Sequence, residues 1–168
     1  SNYGRSKYEA EKSLLEMHSN DFIITVLRPP MIYGYNSKGN YSKLSNFAKR
    51  TPIFPMIENN RSVLFIVNFC ELIKQVIINN KSGVLHPQNR EYLCTKDFVV
   101  EIRKVYNKKI FLSRLLCLAI KIFNFGVIKK IFGNLVYNFV MSFTTFEYNI
   151  IDNVESIRLS DSYTDFEK

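Results

Sequence analysis

The apolar positions along this chain change period repeatedly, and each change marks an element. From Tyr8 to Met17 the spacing is helical, with Glu9, Glu11, Lys12 and Glu16 on the wet side, and the polar HSND ends the helix. FIITVLRPPMIYG follows as a continuous apolar, β-branched run, the pattern of a strand covered on both faces within a parallel sheet. Pro29 and Pro30 cannot donate to a ladder, so the strand Phe22–Leu27 is expected to end in an extended loop closed by Gly34. YNSKGNYSK reads as a polar loop, LSNFAKR as a short helix stopped before Pro52, and IFPMI as a short extended piece.

The second half repeats the alternation. SVLFIV is strand-like, NFCELIKQVIINN is an amphipathic helix, and KSGVLHPQ holds a turn and a short strand. TKDFVVEIRKVY predicts a helix capped by Thr95, and NKKIFL a turn and an extended piece. Ser113 to Phe143 reads as one or two apolar helices broken near Gly126 or Gly133, and the polar tail from Asn149 as a loose terminus. Helix and strand alternate throughout, which indicates the α/β class. Such a sheet opens with a strand and needs several βα units, whereas only the last of them are visible here.

Composition narrows this picture. A chain of 168 residues with 46% hydrophobic content supports one compact core. No run of about twenty uninterrupted apolar residues exists, so a spanning helix is not expected. The net charge of +8 is carried by basic residues scattered along a chain rich in Ile, Asn and Lys. The expectation is therefore no nucleic-acid and no membrane partner. Cys70, Cys94 and Cys117 show neither zinc spacing nor a CxxC pair and are expected as buried free thiols. His18 and His86 lack a third ligand at helical spacing, so no metal site is expected.

The opening SNYGRSKYEAEK carries the first candidate chemistry. Residues i and i+4 share a helix face, which sets Tyr3 beside Lys7. An ammonium next to a phenol favours the phenolate. A phenol so placed can take the proton from an alcohol while hydride leaves the carbon. Taken alone, Y-x-x-x-K is also what a surface tyrosine lying on a lysine stem would give.

In order along the chain, YGRSKYEAEK, VLRPPMIYG, RSVLFIVNFCELI and HPQNREYLCT resemble the extended short-chain dehydrogenase/reductase family, in its NAD-dependent epimerase/dehydratase branch. They look most like the UDP-glucose 4-epimerase-like sugar epimerases of surface-polysaccharide gene clusters, and IFGNLVYNFVMS and YNIIDNVESI are similar to the tail of that branch. The resemblance implies the C-terminal part of a Rossmann-type NAD(P)-binding fold, a parallel sheet flanked by helices, with a small α+β substrate-binding domain. Residues 1–35 would end the Rossmann domain, and 36–168 would form mainly the substrate domain, with 63–88 returning to the Rossmann sheet. The cofactor implied is NAD, or NADP, and the substrate a nucleotide sugar such as a UDP-hexose. A cytoplasmic enzyme is implied, forming a homodimer through a helix bundle.

The resemblance also assigns roles. Tyr3 would be the catalytic acid/base, and Lys7 would support it and bind the nicotinamide ribose. Pro30 and Met31 would pass the nicotinamide. Arg61 would hold the substrate diphosphate, a task suited to a planar guanidinium. Phe54 would lie beside the uracil ring, and Asn40 would contact substrate. Met31 stands where classical galactose epimerases carry Asn, and Asn68 replaces a common acidic residue and is expected to be structural. The six glycines include no G-x-x-G-x-x-G pyrophosphate loop, and the upstream Ser or Thr of the family is not in the sequence. The expectation is a C-terminal portion of such an enzyme, inactive alone. The other readings are a dehydratase or reductase of the same family, an inactive remnant or partner-binding module, and a membrane-surface protein using Ile110 to Phe146 as an interfacial helix.

Overall fold

The computed structural model describes residues 2–122 and 132–162. Helix α1 (Asn2–Glu16) starts six residues before the periodic stretch and includes Tyr3 and Lys7. After it come β1 (Thr25–Leu27) and β2 (Met31–Tyr33), so the apolar run forms two strands split at Pro29–Pro30. Phe22 and Ile23 stay exposed outside β1. Helix α2 (Asn40–Arg50) and β3 (Ile53–Pro55) follow, then β4 (Val63–Phe65), which passes directly into α3 (Ile66–Ile78). Strand β5 (Gly83–Leu85), α4 (Thr95–Val105), β6 (Phe111–Ser113) and α5 (Arg114–Ile122) complete the middle of the chain. Among the described residues after α5, Phe139–Ser142 forms a single 3₁₀ turn and α6 (Asn153–Ser162) a helix. Gly126, one of the two expected break points, lies outside the described residues.

All three strand pairs are parallel. β1 pairs with β5 (Thr25 opposite Gly83), β2 with β4 (Met31 opposite Val63), and β3 with β6 (Ile53 opposite Phe111). Parallel pairing through intervening helices is the α/β architecture expected from the alternation. Gly34 follows β2 because α3 starts against it: a Cβ there would clash with Ile66 Cγ2.

The main core lies between β2, β4 and helices α2, α4 and α6. Tyr33, Tyr41, Phe65 and Phe98 form its centre, with the Tyr33 ring 5.2 Å from Tyr41 and 5.3 Å from Phe98. Helix α6 replaces the loose terminus expected from Asn149 onwards. Its Ser156, Ile157, Ser160 and Asp161 are buried, because the polar face has built-in partners. Tyr41 donates to Asp161, Ser45 Oγ donates to Asp161 Oδ1 at 2.6 Å, and Lys49 pairs with the same carboxylate at 3.1 Å.

Two smaller expectations also change. Thr95 does not cap α4; it is the first helical residue, and Asn59 reaches in from the β3–β4 loop to accept its N–H at 2.9 Å. The three cysteines are free, but only Cys94 is buried; Cys70 lies on the exposed side of α3 and Cys117 is half-buried. Among the described residues no helix is long and apolar enough to cross a membrane, and no group of three His, Cys, Asp or Glu could hold a metal ion.

Candidate functional site

Helix α1 holds Tyr3 and Lys7 side by side, with Lys7 Nζ 5.0 Å from the centre of the Tyr3 ring. No residue of α1 is buried, and Tyr3 is 70% exposed. The helix is tied down further along, where Glu11 takes a two-pronged ion pair from Arg28: Nη2 to Oε1 at 2.6 Å and Nε to Oε2 at 3.1 Å. The hydrogen bond to Glu11 raises the Arg28 pKa. Arg28 is the residue after β1, and its N–H continues the ladder to Leu85 O at 2.9 Å. The ion pair therefore fixes α1 to the carboxyl ends of two neighbouring parallel strands, the edge where α/β sheets bind ligands.

Pro29 and Pro30 bend the chain away from that edge, and Met31 begins β2, half-buried against the main core. Met31 pairs with Val63, which places Arg61 two residues upstream of its partner. Arg61 itself is half-buried. Its backbone exchanges hydrogen bonds with Leu93 (3.1 and 3.0 Å), and Ser62 N–H donates to Leu135 O at 2.9 Å. Burial pushes the Arg61 pKa down, as expected of a cation drawn from water. Asn134 Oδ1 accepts from Asn60 N–H at 2.9 Å, so the segment before the 3₁₀ turn lies along residues 60–62.

Asn40 is exposed at the first position of α2, after a loop in which Asn36 and Gly39 have positive φ. Phe54 is different from the expectation. It is 2% exposed and packs with Phe47 and Phe132 at ring distances of 6.0 and 5.7 Å. Its neighbours on β3 and β6 close over it, so Phe54 is a core residue and not an open platform for a base. Of the sequence-derived candidates, Tyr3 and Lys7 are in mutual contact. Pro30, Met31 and Arg61 follow along the β1–β2 junction and the paired β4, while Asn40 opens a separate helix.

A buried polar network escaped the sequence reading. Asn89 Nδ2 donates to Tyr33 Oη (3.1 Å) and Asn153 Oδ1 (2.7 Å), while its Oδ1 accepts from Phe65 N–H (3.0 Å). Asn68 clasps the backbone of Ile151, donating to its O at 2.8 Å and accepting from its N–H at 3.0 Å. Tyr33 Oη and Ser156 Oγ lie 2.5 Å apart. Burial pushes the Tyr33 pKa up to about 12, against the opposing hydrogen bonds from Ser156 and Asn89. The outer side of this network opens into a polar cleft of about 320 Å³, lined by Asn89, Arg90, Asn149, Asp152 and Asn153 among others. Asn68, expected to be structural, is part of it; the other members left no signal, since periodicity says nothing about polar residues sixty positions apart.

Comparison with known proteins shows what the chain is similar to. A family model for NAD binding, described as "Male sterility protein", matches residues 1–61. The chain is 31% identical over 117 residues to the N-acetyl-alpha-D-glucosaminyl-diphospho-ditrans,octacis-undecaprenol 4-epimerase of Escherichia coli O157:H7, a match covering 64% of this chain and 35% of that protein. It is 31% identical over 85 residues to UDP-glucose 4-epimerase of Vibrio cholerae, covering 48% of this chain and 26% of that one. The chain thus spans about a third of the length of the curated relatives it matches. Among solved structures, UDP-glucuronic acid 4-epimerase from Bacillus cereus, in complex with NAD, superposes with TM-score 0.60 at 14% identity, over all of this chain and 54% of that one. That likeness establishes the Rossmann-like fold, and over the matched part of its length the chain is similar to NAD-binding sugar 4-epimerases.

Proposed function

We propose that this chain supplies the Tyr–Lys pair and part of the substrate arm of an NAD(P)-dependent 4-epimerase acting on a diphosphate-linked hexose, a UDP-hexose in the first instance, in surface-polysaccharide synthesis. The carrying observation is the contact of Tyr3 with Lys7 on a helix anchored to the carboxyl ends of two parallel strands. The residues present fit the nicotinamide–ribose end of a dinucleotide: Lys7 offers an ammonium beside the phenol, and Pro30–Met31 follow closely after Arg28, which anchors that helix. When bound, that cofactor accepts a hydride and returns it. Tyr3 takes the proton of the C4 hydroxyl as that carbon becomes a ketone, and gives it back once the sugar has turned its other face. Lys7 steadies the phenolate and orients the ribose. Arg61 binds the diphosphate that both curated relatives' substrates share by name. Asn40, at the head of α2, contacts the substrate. Residues 1–35 and 63–88 form the cofactor-side sheet and the rest mainly the substrate side, and α1 contributes to a dimer bundle through its exposed Tyr8 and Leu14, with exposed Met17 just past its end.

The test is made on the whole protein with UDP-glucose and UDP-N-acetylglucosamine. Tyr3→Phe is expected to cut turnover by about 10²-fold or more with NAD affinity unchanged. Retained turnover removes Tyr3 from its role. Arg61→Ala is expected to raise KM for the sugar diphosphate while leaving the dinucleotide Kd alone, and an equal effect on both ligands refutes the assignment.

A further inference from the structure

The charge of this chain is not spread as a linear scan suggests. Between Glu101 and Glu147 lie eight Lys or Arg and no acidic residue. The remainder has fifteen basic and fifteen acidic residues, so the entire excess of +8 belongs to this one stretch. The described part of it has a clear inside and outside. Ile110 and Leu112 pack on the main core, while Phe111 between them points out and is 67% exposed. Helix α5 continues that outer side with Leu115, 78% exposed, and Leu118 one turn on. Lys108, Lys109 and Arg114, next to these residues in the chain, are exposed, with Lys108 Nζ also donating to Lys49 O at 3.0 Å. After the undescribed residues the same acid-free stretch leaves Val140 and Phe143 mostly exposed as well.

Several large apolar side chains in water are costly unless something covers them. The exposed charges that this stretch sets among Leu and Phe are Lys and Arg, which is the composition of an interfacial element on an anionic bilayer. We infer that β6 and α5 form a peripheral membrane-docking surface: Phe111, Leu115 and Leu118 enter the headgroup boundary, and Lys108, Lys109 and Arg114 meet anionic lipid phosphates. This replaces the expectation of no membrane partner. It also deepens the proposed function and in this respect rests on it: a protein held on the bilayer can reach a sugar diphosphate whose other end is a polyprenyl chain. The docking itself is independent of that reading.

The experiment is co-sedimentation of the whole protein with vesicles, without substrate or cofactor. Vesicles of phosphatidylcholine with 30% phosphatidylglycerol, about a third anionic lipid, are compared with pure phosphatidylcholine. Binding is expected to the anionic vesicles only, and to weaken as salt shortens the screening length from about 10 Å at 0.1 M to about 3 Å at 1 M. Lys108→Glu with Lys109→Glu is expected to weaken it by about fivefold or more per position. Leu115→Asp with Leu118→Asp should abolish it while leaving the thermal transition in place, since neither side chain is buried. Absent binding at low salt overturns the proposal. So does binding indifferent to both double variants, or a concentration-dependent dimer in sedimentation velocity that the Leu variants abolish. A protein that docks but has no epimerase activity would refute the proposed function and leave the docking surface standing.

Discussion

Helices α1 and α4 have 15 and 11 residues, yet α4 buries five side chains and α1 none. The first is held as a helix by its own composition and by surface pairs such as Arg5–Glu9 at 2.8 Å, i to i+4. The second is held by what surrounds it: Phe98 against Tyr33 and Tyr41, and Arg103 donating to Ala48 O and Thr51 O at 2.8 Å, where α2 ends and its last carbonyls need partners. One region is therefore closed in apolar packing and polar satisfaction together. The other is a local structure pinned at one ion pair, and it is the one that carries the Tyr–Lys pair. The packing that α4 shares with the core and the side chains proposed for chemistry therefore lie on different helices.

The largest expected break in this comparison is at Phe98. Phe98→Ala should cost about 3–5 kcal/mol in a urea titration, against about 0.5 kcal/mol or less for the exposed Leu14→Ala on α1. Equal losses would mean that α1 is packed as tightly as α4. Next comes the Asp161 carboxylate, which Tyr41, Ser45, Tyr106 and Lys49 share. Asp161→Asn is expected to cost about 2–3 kcal/mol, because Lys49 and the Tyr41 hydroxyl then face a neutral amide. A double-mutant cycle with Lys49→Met gives the share of the ion pair.

The polar network sharpens the comparison through pH. Tyr33 titrates near 10 when unfolded and near 12 when folded, raised chiefly by burial. The folded state then holds its proton where the unfolded state has lost it. Its contribution is complete below pH 10 and disappears as pH rises towards 12, a loss of about 3 kcal/mol. Burial raises Tyr41 and Tyr148 in the same direction, so the alkaline fall is shared. Denaturant midpoints between pH 9 and 12 should show a shallower fall in Tyr33→Phe; an identical fall would remove Tyr33 as a contributor. The smallest effect belongs to α1. Glu11→Gln breaks the pair with a largely exposed Arg28 and should cost about 1 kcal/mol or less, vanishing in high salt.

The periodic elements were legible because local pattern and final burial agree. NFCELIKQVIINN and TKDFVVEIRKVY became α3 and α4 within a few residues, and SVLFIV and KSGVLHPQ became β4 and β5. The Tyr3–Lys7 contact was legible for the same reason: a spacing of four is settled by the helix itself. What failed depended on the rest of the chain. Phe54 looked like a base platform from its motif, but β6 and Phe132 arrive from far along the sequence to cover it. The tail read as loose because Ser156, Ser160 and Asp161 are polar, and only Tyr33, Tyr41 and Ser45 reveal why polar residues are buried there.

The hand-off between Asn59 and Thr95 has a consequence for how this chain assembles. A helix that borrows its first hydrogen-bond acceptor from a residue 36 positions away cannot complete its start until that loop has docked. Asn59 is also held from the other side, its Nδ2 donating to Thr95 Oγ1 at 2.9 Å, so loop and helix start lock each other. The Thr95 amide thereby becomes a clock for that docking. Its hydrogen exchange should run at the rate at which the loop lets go, while amides deeper in α4 wait for the whole core to open.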